Sequence, residues 1–377
     1  MRIVIAPNSF KECMTALEVA KAMASGASQA CPDSEILTVP LADGGDGTAE
    51  AIVAARRGRM VQVAANDPLM RPVKVQYGLF DDDRKAVIEM AAASGLWRLK
   101  EHEKNPLKTS TYGTGEMIRD ALNRGVRSLI VGIGGSATTD AGMGMASALG
   151  YRFLDEYGNE LAPIGDSMNL VAQIDSSNVL EELHETEIFV ASDVTNPLLG
   201  PNGAAPVYAP QKGATPEMVE ILEKGLSRMS SLLERDLNAA VGDKPGGGAA
   251  GGLGAGLMAF CDAQICSGFD LIADYARLDD ALDGAALAIT GEGKIDSSTQ
   301  FGKVPAGVMR RAQAKGVPVV GIAGALVGDR TLLNEHGMAA MFSIAPGPIS
   351  LQDAMEKAGD YLAHTTEQVV RLWQCRT

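Results

Sequence analysis

Aromatic residues are scarce, at 5% of 377 residues, so any large core must be built from Ala, Val, Ile, Leu and Met. The two tryptophans, Trp97 and Trp373, read as packing residues rather than stacking platforms. Basic residues are outnumbered, 33 Lys and Arg against 47 Asp and Glu, for a formal charge of −14. Nucleic acid and anionic membrane both require a basic face, so neither is expected as a partner. A phosphate-bearing ligand is not excluded, because backbone N–H groups, a few lysines and a cation held by carboxylates suffice to bind one. Only four histidines occur, none at metal-ligand spacing, which argues against a His-built zinc site. The five cysteines (Cys13, Cys31, Cys261, Cys266 and Cys375) include no Cys-x-x-Cys pair and read as reduced, structural thiols. No stretch approaches the roughly 20 apolar residues of a spanning helix. The apolar run near the N-terminus is too short for a signal-peptide core, so a cytoplasmic location is expected. Three nucleotide signatures are also missing: the P-loop, a Gly-x-Gly-x-x-Gly after the first strand, and the protein-kinase loops.

Glycine is what the chain has in excess, 43 residues where about 7% usage gives roughly 26. Much of the excess gathers in a few loops, and those loops fall between regular elements. Residues 2–6 form an apolar run stopped by Pro7, the pattern of a buried parallel strand. Thr15 and Glu18 have the spacing of a capping box, Cys31-Pro32 closes the helix, and 35–39 is the next strand. A short helix is expected over 48–55, and strands over 61–65, 73–80, 86–90, 128–131 and 188–192. Pro216 starts a helix with apolar residues at Met218, Leu222, Leu226, Met229 and Leu233. Strands follow over 285–290, 317–323 and 339–343, and one final helix carries an apolar stripe from Leu351 to Leu372. The two ends share this alternation and the middle looks inserted. The expected layout is two α/β domains, one over 1–80 plus 287–377 and an inserted one over 81–286, with a cleft between them to hold a small molecule.

Five loops end predicted strands and combine Gly with Asp or Lys. PLADGGDGT (40–48) sets Asp43 and Asp46 three apart around Gly44 and Gly45, suited to binding Mg²⁺ or accepting a hydroxyl proton; an ordinary turn with an Asp cap has the same pattern. GIGGSATTDAG (132–142) offers backbone N–H groups at Gly134 and Gly135, the Ser136 hydroxyl and Asp140 at a helix start, a cradle for an anion. The run from 191 to 214 brings Asp193, Asn196, Gln211 and Lys212. TGEGKIDSSTQFGK (290–303) brings Glu292, Lys294, Asp296 and Lys303, and the first loop brings Ser9 and Lys11. Together these residues suit an anion-binding α/β enzyme that uses a divalent cation.

At these loops the chain closely resembles the type I glycerate kinase family. The resemblance rests on APNSFKE (6–12), PLADGGDGT (40–48), EMAAASGL (89–96), GIGGSAT (132–138), SDVTNPLLG (192–200), PQKGA (210–214), GAAGGLGAG (248–256), TGEGKID (290–296) and GKVPAGV (302–308), in that order along the whole length. It implies phosphorylation of glycerate by ATP with Mg²⁺, commonly giving 2-phosphoglycerate, and a flavodoxin-like fold for one of the two domains. Set beside the demands of phosphoryl transfer, it gives Asp193 or Asp43 the task of orienting or deprotonating the hydroxyl. Asp46 and Asp296 would hold Mg²⁺, and Lys11, Lys212 and Lys303 would meet phosphates or the glycerate carboxylate. Ser9, Gly44, Gly45, Gly134, Gly135, Ser136, Asp140, Asn196, Gln211 and Glu292 complete the expected binding set. Two departures stand out: Asn8 where the family usually has Asp, and Thr139-Asp140-Ala141-Gly142 where it usually has Asn-Asp-Gly-Gly. The first keeps open a kinase of another small hydroxy acid, or transfer to the 3-hydroxyl. A non-catalytic hydroxy-acid sensor and an oxidoreductase are the readings from other classes, the latter weakened by the missing dinucleotide fingerprint. The residues leave monomer and homodimer equally open.

Overall fold

The computed structural model describes residues 1–300, 303–328 and 331–375. Its strands, in chain order, are β1 (Arg2–Ile5), β2 (Glu35–Thr38), β3 (Arg59–Asn66), β4 (Pro72–Phe80), β5 (Lys85–Glu89), β6 (Ser128–Gly132), β7 (Arg152–Leu154), β8 (Gln173–Asp175), β9 (Glu187–Ala191), β10 (Gln264–Cys266), β11 (Leu287–Ile295), β12 (Val319–Leu326) and β13 (Met338–Ser343). The chain separates into two compact units. The first comprises Met1–Asp43, Glu50–Arg56 and Phe269–Thr377; the second comprises Gly44–Ala49 and Arg57–Gly268.

The first unit is built on a five-stranded sheet in the order β13-β12-β11-β1-β2, with every neighbouring pair parallel. Counted within the unit and read from β2, that order is 2-1-3-4-5, the flavodoxin-like doubly wound arrangement. The expected flavodoxin-like domain is therefore present. Ile3, Val4 and Ile5 of β1 and Leu287, Ala288 and Ile289 of β11 are all fully buried, as central parallel strands covered on both faces require. The helix Ala16–Ala30 starts where the capping box predicts. Thr15 Oγ1 accepts the Glu18 N–H, and the Glu18 carboxylate accepts the Thr15 N–H at 2.8 Å. The single long C-terminal helix expected from the Leu351–Leu372 stripe is instead two, Leu351–Glu356 and Ala358–Gln374. Lys357 leaves helical geometry between them, with φ −108° and ψ 12°. An apolar stripe at helical spacing survives one such break, so the sequence pattern does not reveal it.

The second unit carries a six-stranded sheet ordered β10-β9-β6-β5-β4-β3, parallel from β10 to β5 and antiparallel across β5-β4-β3, and a separate β7-β8 pair. The grouping of 61–65 and 73–80 with the terminal domain is corrected here. β4 pairs along its length with β3 and, through a tight turn, with β5. Asp81, Asp82 and Asp83 take left-handed φ values of 52°, 56° and 60° in that turn. Strands joined by so short a connection stay antiparallel neighbours in one sheet. The other boundaries move too. The break falls inside PLADGGDGT, after Asp43, and the return to the first unit comes at Phe269 rather than 287.

Candidate active site

In a doubly wound sheet ligands bind beyond the carboxyl ends of the strands, where the strand order reverses. In the first unit that point lies between β1 and β11, and the loops after both strands carry predicted site residues. They line a pocket of about 400 Å³ shared by Asn8, Ser9, Lys11, Asp43, Glu292, Lys294 and Lys303. Asn8 is buried; its N–H donates to the Gly291 carbonyl at 2.8 Å, and its Oδ1 accepts the Ser9 N–H at 2.8 Å. Glu292 is 7% exposed and accepts the Thr299 hydroxyl at 2.6 Å. Burial raises its pKa above the ordinary carboxylate value; the Thr299 hydrogen bond and Lys303 oppose this, while Asp43 and Asp296 add to it. Asp296 pairs with Lys294 at 2.9 Å. Lys11 is exposed and Lys303 half-buried at the start of the helix Val304–Ala314. Gly302, part of the predicted 290–303 loop, lies outside the described residues.

In the second unit three predicted loops pack on one another. Gly44 has φ +90°, and a Cβ there would lie 2.4 Å from the carbonyl oxygen of Ala191, the last residue of β9. Glycine is thus required for the 43–47 loop to reach the end of β9. Gly45 accepts the Thr48 hydroxyl at 2.7 Å, and Gly44 accepts the Gly134 N–H at 3.5 Å. Asp46 is exposed, and a Cβ on Gly135 would lie 3.8 Å from its Oδ1. Asp193 is exposed and its Oδ1 accepts the Gly268 N–H at 3.0 Å. Gln211 is exposed.

Three predicted site residues are held by hydrogen bonds within the protein. Asp140 is fully buried and accepts four hydrogen bonds, from the Thr111 N–H and hydroxyl, both at 2.8 Å, and from the Gly142 and Gly144 N–H groups at 3.2 and 3.1 Å. Burial raises its pKa against those four donors, and it ties loop 109–112 to the helix Met143–Ala148. Lys212 is 1% exposed; its ammonium donates to Ser136 Oγ at 2.7 Å and to the Thr138 carbonyl at 2.6 Å. Burial pushes it down to about 7, with Asp140 opposing. It clasps the 132–138 loop from within. Asn196 is committed to its own loop, donating to the Asn202 carbonyl at 2.8 Å and accepting the Tyr208 hydroxyl at 2.7 Å. Asp140 and Lys212 thus meet partners far along the chain, Thr111 and Ser136, which no local pattern announces.

The structure also adds residues the sequence reading passed over. Glu89 accepts the Ala49 N–H at 2.7 Å, capping the helix Thr48–Arg56 that follows the 40–48 loop. Its signal was its place at the end of a strand, opening EMAAASGL. The glycine-rich 245–257 segment enters the helix Ala249–Cys261 through three left-handed residues, Ala250, Gly251 and Gly252. A Cβ on Gly251 would lie 2.0 Å from the Thr138 carbonyl oxygen, so this turn forms a floor under the 132–142 loop.

Magnesium is commonly held by one or two carboxylates plus substrate phosphates, not by a protein cage. The described residues contain no group of three or more His, Cys, Asp or Glu placed for a metal. Glu292, influenced electrostatically by Asp43 and Asp296, offers the smaller donor set that such binding needs.

The glycerate kinase family profile matches residues 3–374. A glycerate kinase of Bacillus subtilis is 44% identical over 98% of this chain and 97% of its own length. A glycerate 2-kinase of Escherichia coli is 42% identical over 98% and 97%. A crystal structure from Salmonella typhimurium LT2, assigned as glycerate kinase 2, superposes with a TM-score of 0.91 at 48% identity, covering all of this chain and 98% of that one. With the flavodoxin-like sheet and the Gly/Asp/Lys loops at its strand ends, the chain belongs to the glycerate kinase family.

Proposed function

We propose that this protein transfers the γ-phosphoryl group of ATP to the 2-hydroxyl of (R)-glycerate. The observation that carries the reading is the set of Asp, Lys and Gly residues at strand ends in a chain that matches glycerate kinases over its full length. The 42% identity to a protein named glycerate 2-kinase favours the 2-hydroxyl.

In-line transfer requires the acceptor oxygen to be aligned with the γ-phosphorus and the charge on the moving group to be neutralised. Lys11 and Lys303, on the wall of the first unit's pocket, supply positive charge to phosphoryl oxygens. Asp43, on the same wall, orients the hydroxyl and takes its proton, with Asp193 as the other candidate. In the second unit the Gly135 N–H and the 132–138 loop form a candidate cradle for an anion. Mg²⁺, when bound, adds divalent charge against the phosphate oxygens. In the first unit Asp296, with Glu292 near it, would hold it directly or through water. Lys212 and Asp140 take no part in the transfer and keep the 132–142 loop in shape. The protein would act in the cytoplasm.

The test is a coupled assay with ATP, Mg²⁺ and D-glycerate, read through enolase and pyruvate kinase without phosphoglycerate mutase. A signal requires 2-phosphoglycerate. Recovery only on adding the mutase would move the acceptor to the 3-hydroxyl. Silence in both arms would sink the assignment to glycerate and direct attention to other hydroxy acids, for which Asn8 in place of the family's usual Asp gives a reason.

A further inference from the structure

We infer that the pocket of the first unit receives the nucleoside of the phosphoryl donor, with the base toward β13 and the phosphates toward β1 and β11. The inference deepens the kinase reading and rests on it for the identity of the donor. A volume of about 400 Å³ falls within the range of sites that bury drug-sized ligands and far exceeds what a three-carbon acid fills. The chemistry of the wall points the same way. On the β12 and β13 side the lining is apolar: Ala325, Ile344, Leu351, Ala354, Met355 and Ala358. Burying the carboxylate and hydroxyls of glycerate against such a surface would leave them without hydrogen-bond partners. A purine ring has two apolar faces and suits aliphatic and thioether side chains, Met355 above all.

The rest of the lining carries Lys11, Lys294 and Lys303 with Glu12, Asp43 and Glu292. Three ammonium groups and three carboxylates suit a polyphosphate with its cation. That end is also the point where the strand order reverses. Apolar and charged groups thus line one pocket at one sheet edge, as a nucleoside polyphosphate requires, with Ala325 opposite Lys294 in the β11-β12 register. No aromatic platform is needed for this, and Phe10 is the single aromatic residue on the lining among the described residues.

The experiment fills the apolar end from two sides, with Ala354→Trp on the helix Leu351–Glu356 and Ala325→Phe on β12. ADP and adenosine binding is measured by calorimetry, and KM for ATP and for glycerate by steady-state kinetics, with thermal melting to confirm that each variant folds. The expected result is a rise of about tenfold or more in Kd for ADP and adenosine and in KM for ATP, with KM for glycerate within about twofold. A rise confined to KM for glycerate would give the pocket to the acid and overturn the inference. Unchanged constants in both folded variants, or no ADP binding by the wild type, would overturn it too. Failure of the kinase reading is separate. Wild type that binds ADP but does not turn over glycerate, together with weakened ADP binding in the variants, would keep the pocket assignment and remove the acceptor.

Discussion

Replacing Lys212 with Met isolates one buried charge, and its effect should depend on pH in a set direction. The ammonium is 1% exposed, and burial pushes it from its ordinary 10.5 down to about 7. The folded-state value thus lies below that of the unfolded chain. Between about pH 7 and 10.5 the unfolded chain holds more protons, so the wild type gains stability as pH rises through that window. Below about pH 7 both states are protonated and the burial penalty is present in full. Met does not titrate, so the wild-type-minus-variant difference reports Lys212 alone. At about 1.4 kcal/mol per pH unit, with half the group neutral near pH 7, the wild type should gain roughly 2 kcal/mol on the variant between about pH 7 and 9. Between about pH 5 and 7 the gain should stay under roughly 0.5 kcal/mol. Urea denaturation of both proteins across this range measures the difference. A difference that stays flat from pH 7 to 9 would mean that Ser136 Oγ and the Thr138 carbonyl hold the group as ammonium despite burial, and the argument would fail. Turnover should fall in the variant at every pH, because the 132–138 loop loses its internal clasp.

Gly44→Ala places a Cβ 2.4 Å from the Ala191 carbonyl oxygen at φ +90°, so the 43–47 loop must move. Turnover should drop about tenfold or more, and stability by about 1–3 kcal/mol in thermal melts; a fully active variant would show that the loop's seat on β9 is dispensable. Asp193→Asn keeps an acceptor for the Gly268 N–H, so the fold should survive while kcat falls by about a hundredfold or more. An unchanged kcat would remove Asp193 from the chemistry. Asn8→Asp keeps the acceptor for the Ser9 N–H and adds a carboxylate to the pocket of Asp43 and Glu292. The Mg²⁺ concentration for half-maximal activity should fall severalfold, and a titration that does not move would place position 8 outside the cation's influence.

What the sequence made legible was local. The capping box of Thr15 and Glu18 is written within four residues, and it forms. The parallel strands read as short apolar runs ended by Pro or Gly, and most fall within a few residues of their expected limits. The flavodoxin-like fold of one domain came through resemblance, since no run of residues states which strands pair. The placement of β3 and β4 failed for that reason. Their extent was visible, but their sheet is decided by pairing across the turn to β5, where Asp81, Asp82 and Asp83 take left-handed φ.

The site was legible as a set of loops and much less so as a set of roles. A polar residue in a Gly-rich loop looks the same whether it meets a ligand or another loop. Asp140 meets Thr111, 29 positions away, and Lys212 meets Ser136, 76 positions away. The glycines explain why so many loops are needed. At Gly44 and at Gly251 a side chain would strike a carbonyl oxygen of a neighbouring segment. In these places glycine serves backbone-on-backbone packing, which brings the second unit's strand-end loops against one another. Polar side chains buried under such packing, Asp140 and Lys212 among them, meet partners on neighbouring loops. Burial alone does not sort such groups from candidates for ligand contact: Asp46, Asp193 and Lys11 are exposed, whereas Glu292 is 7% exposed and still lines the first unit's pocket. What distinguishes Asp140 and Lys212 is that their hydrogen bonds cross from one loop to another, which only the folded chain displays.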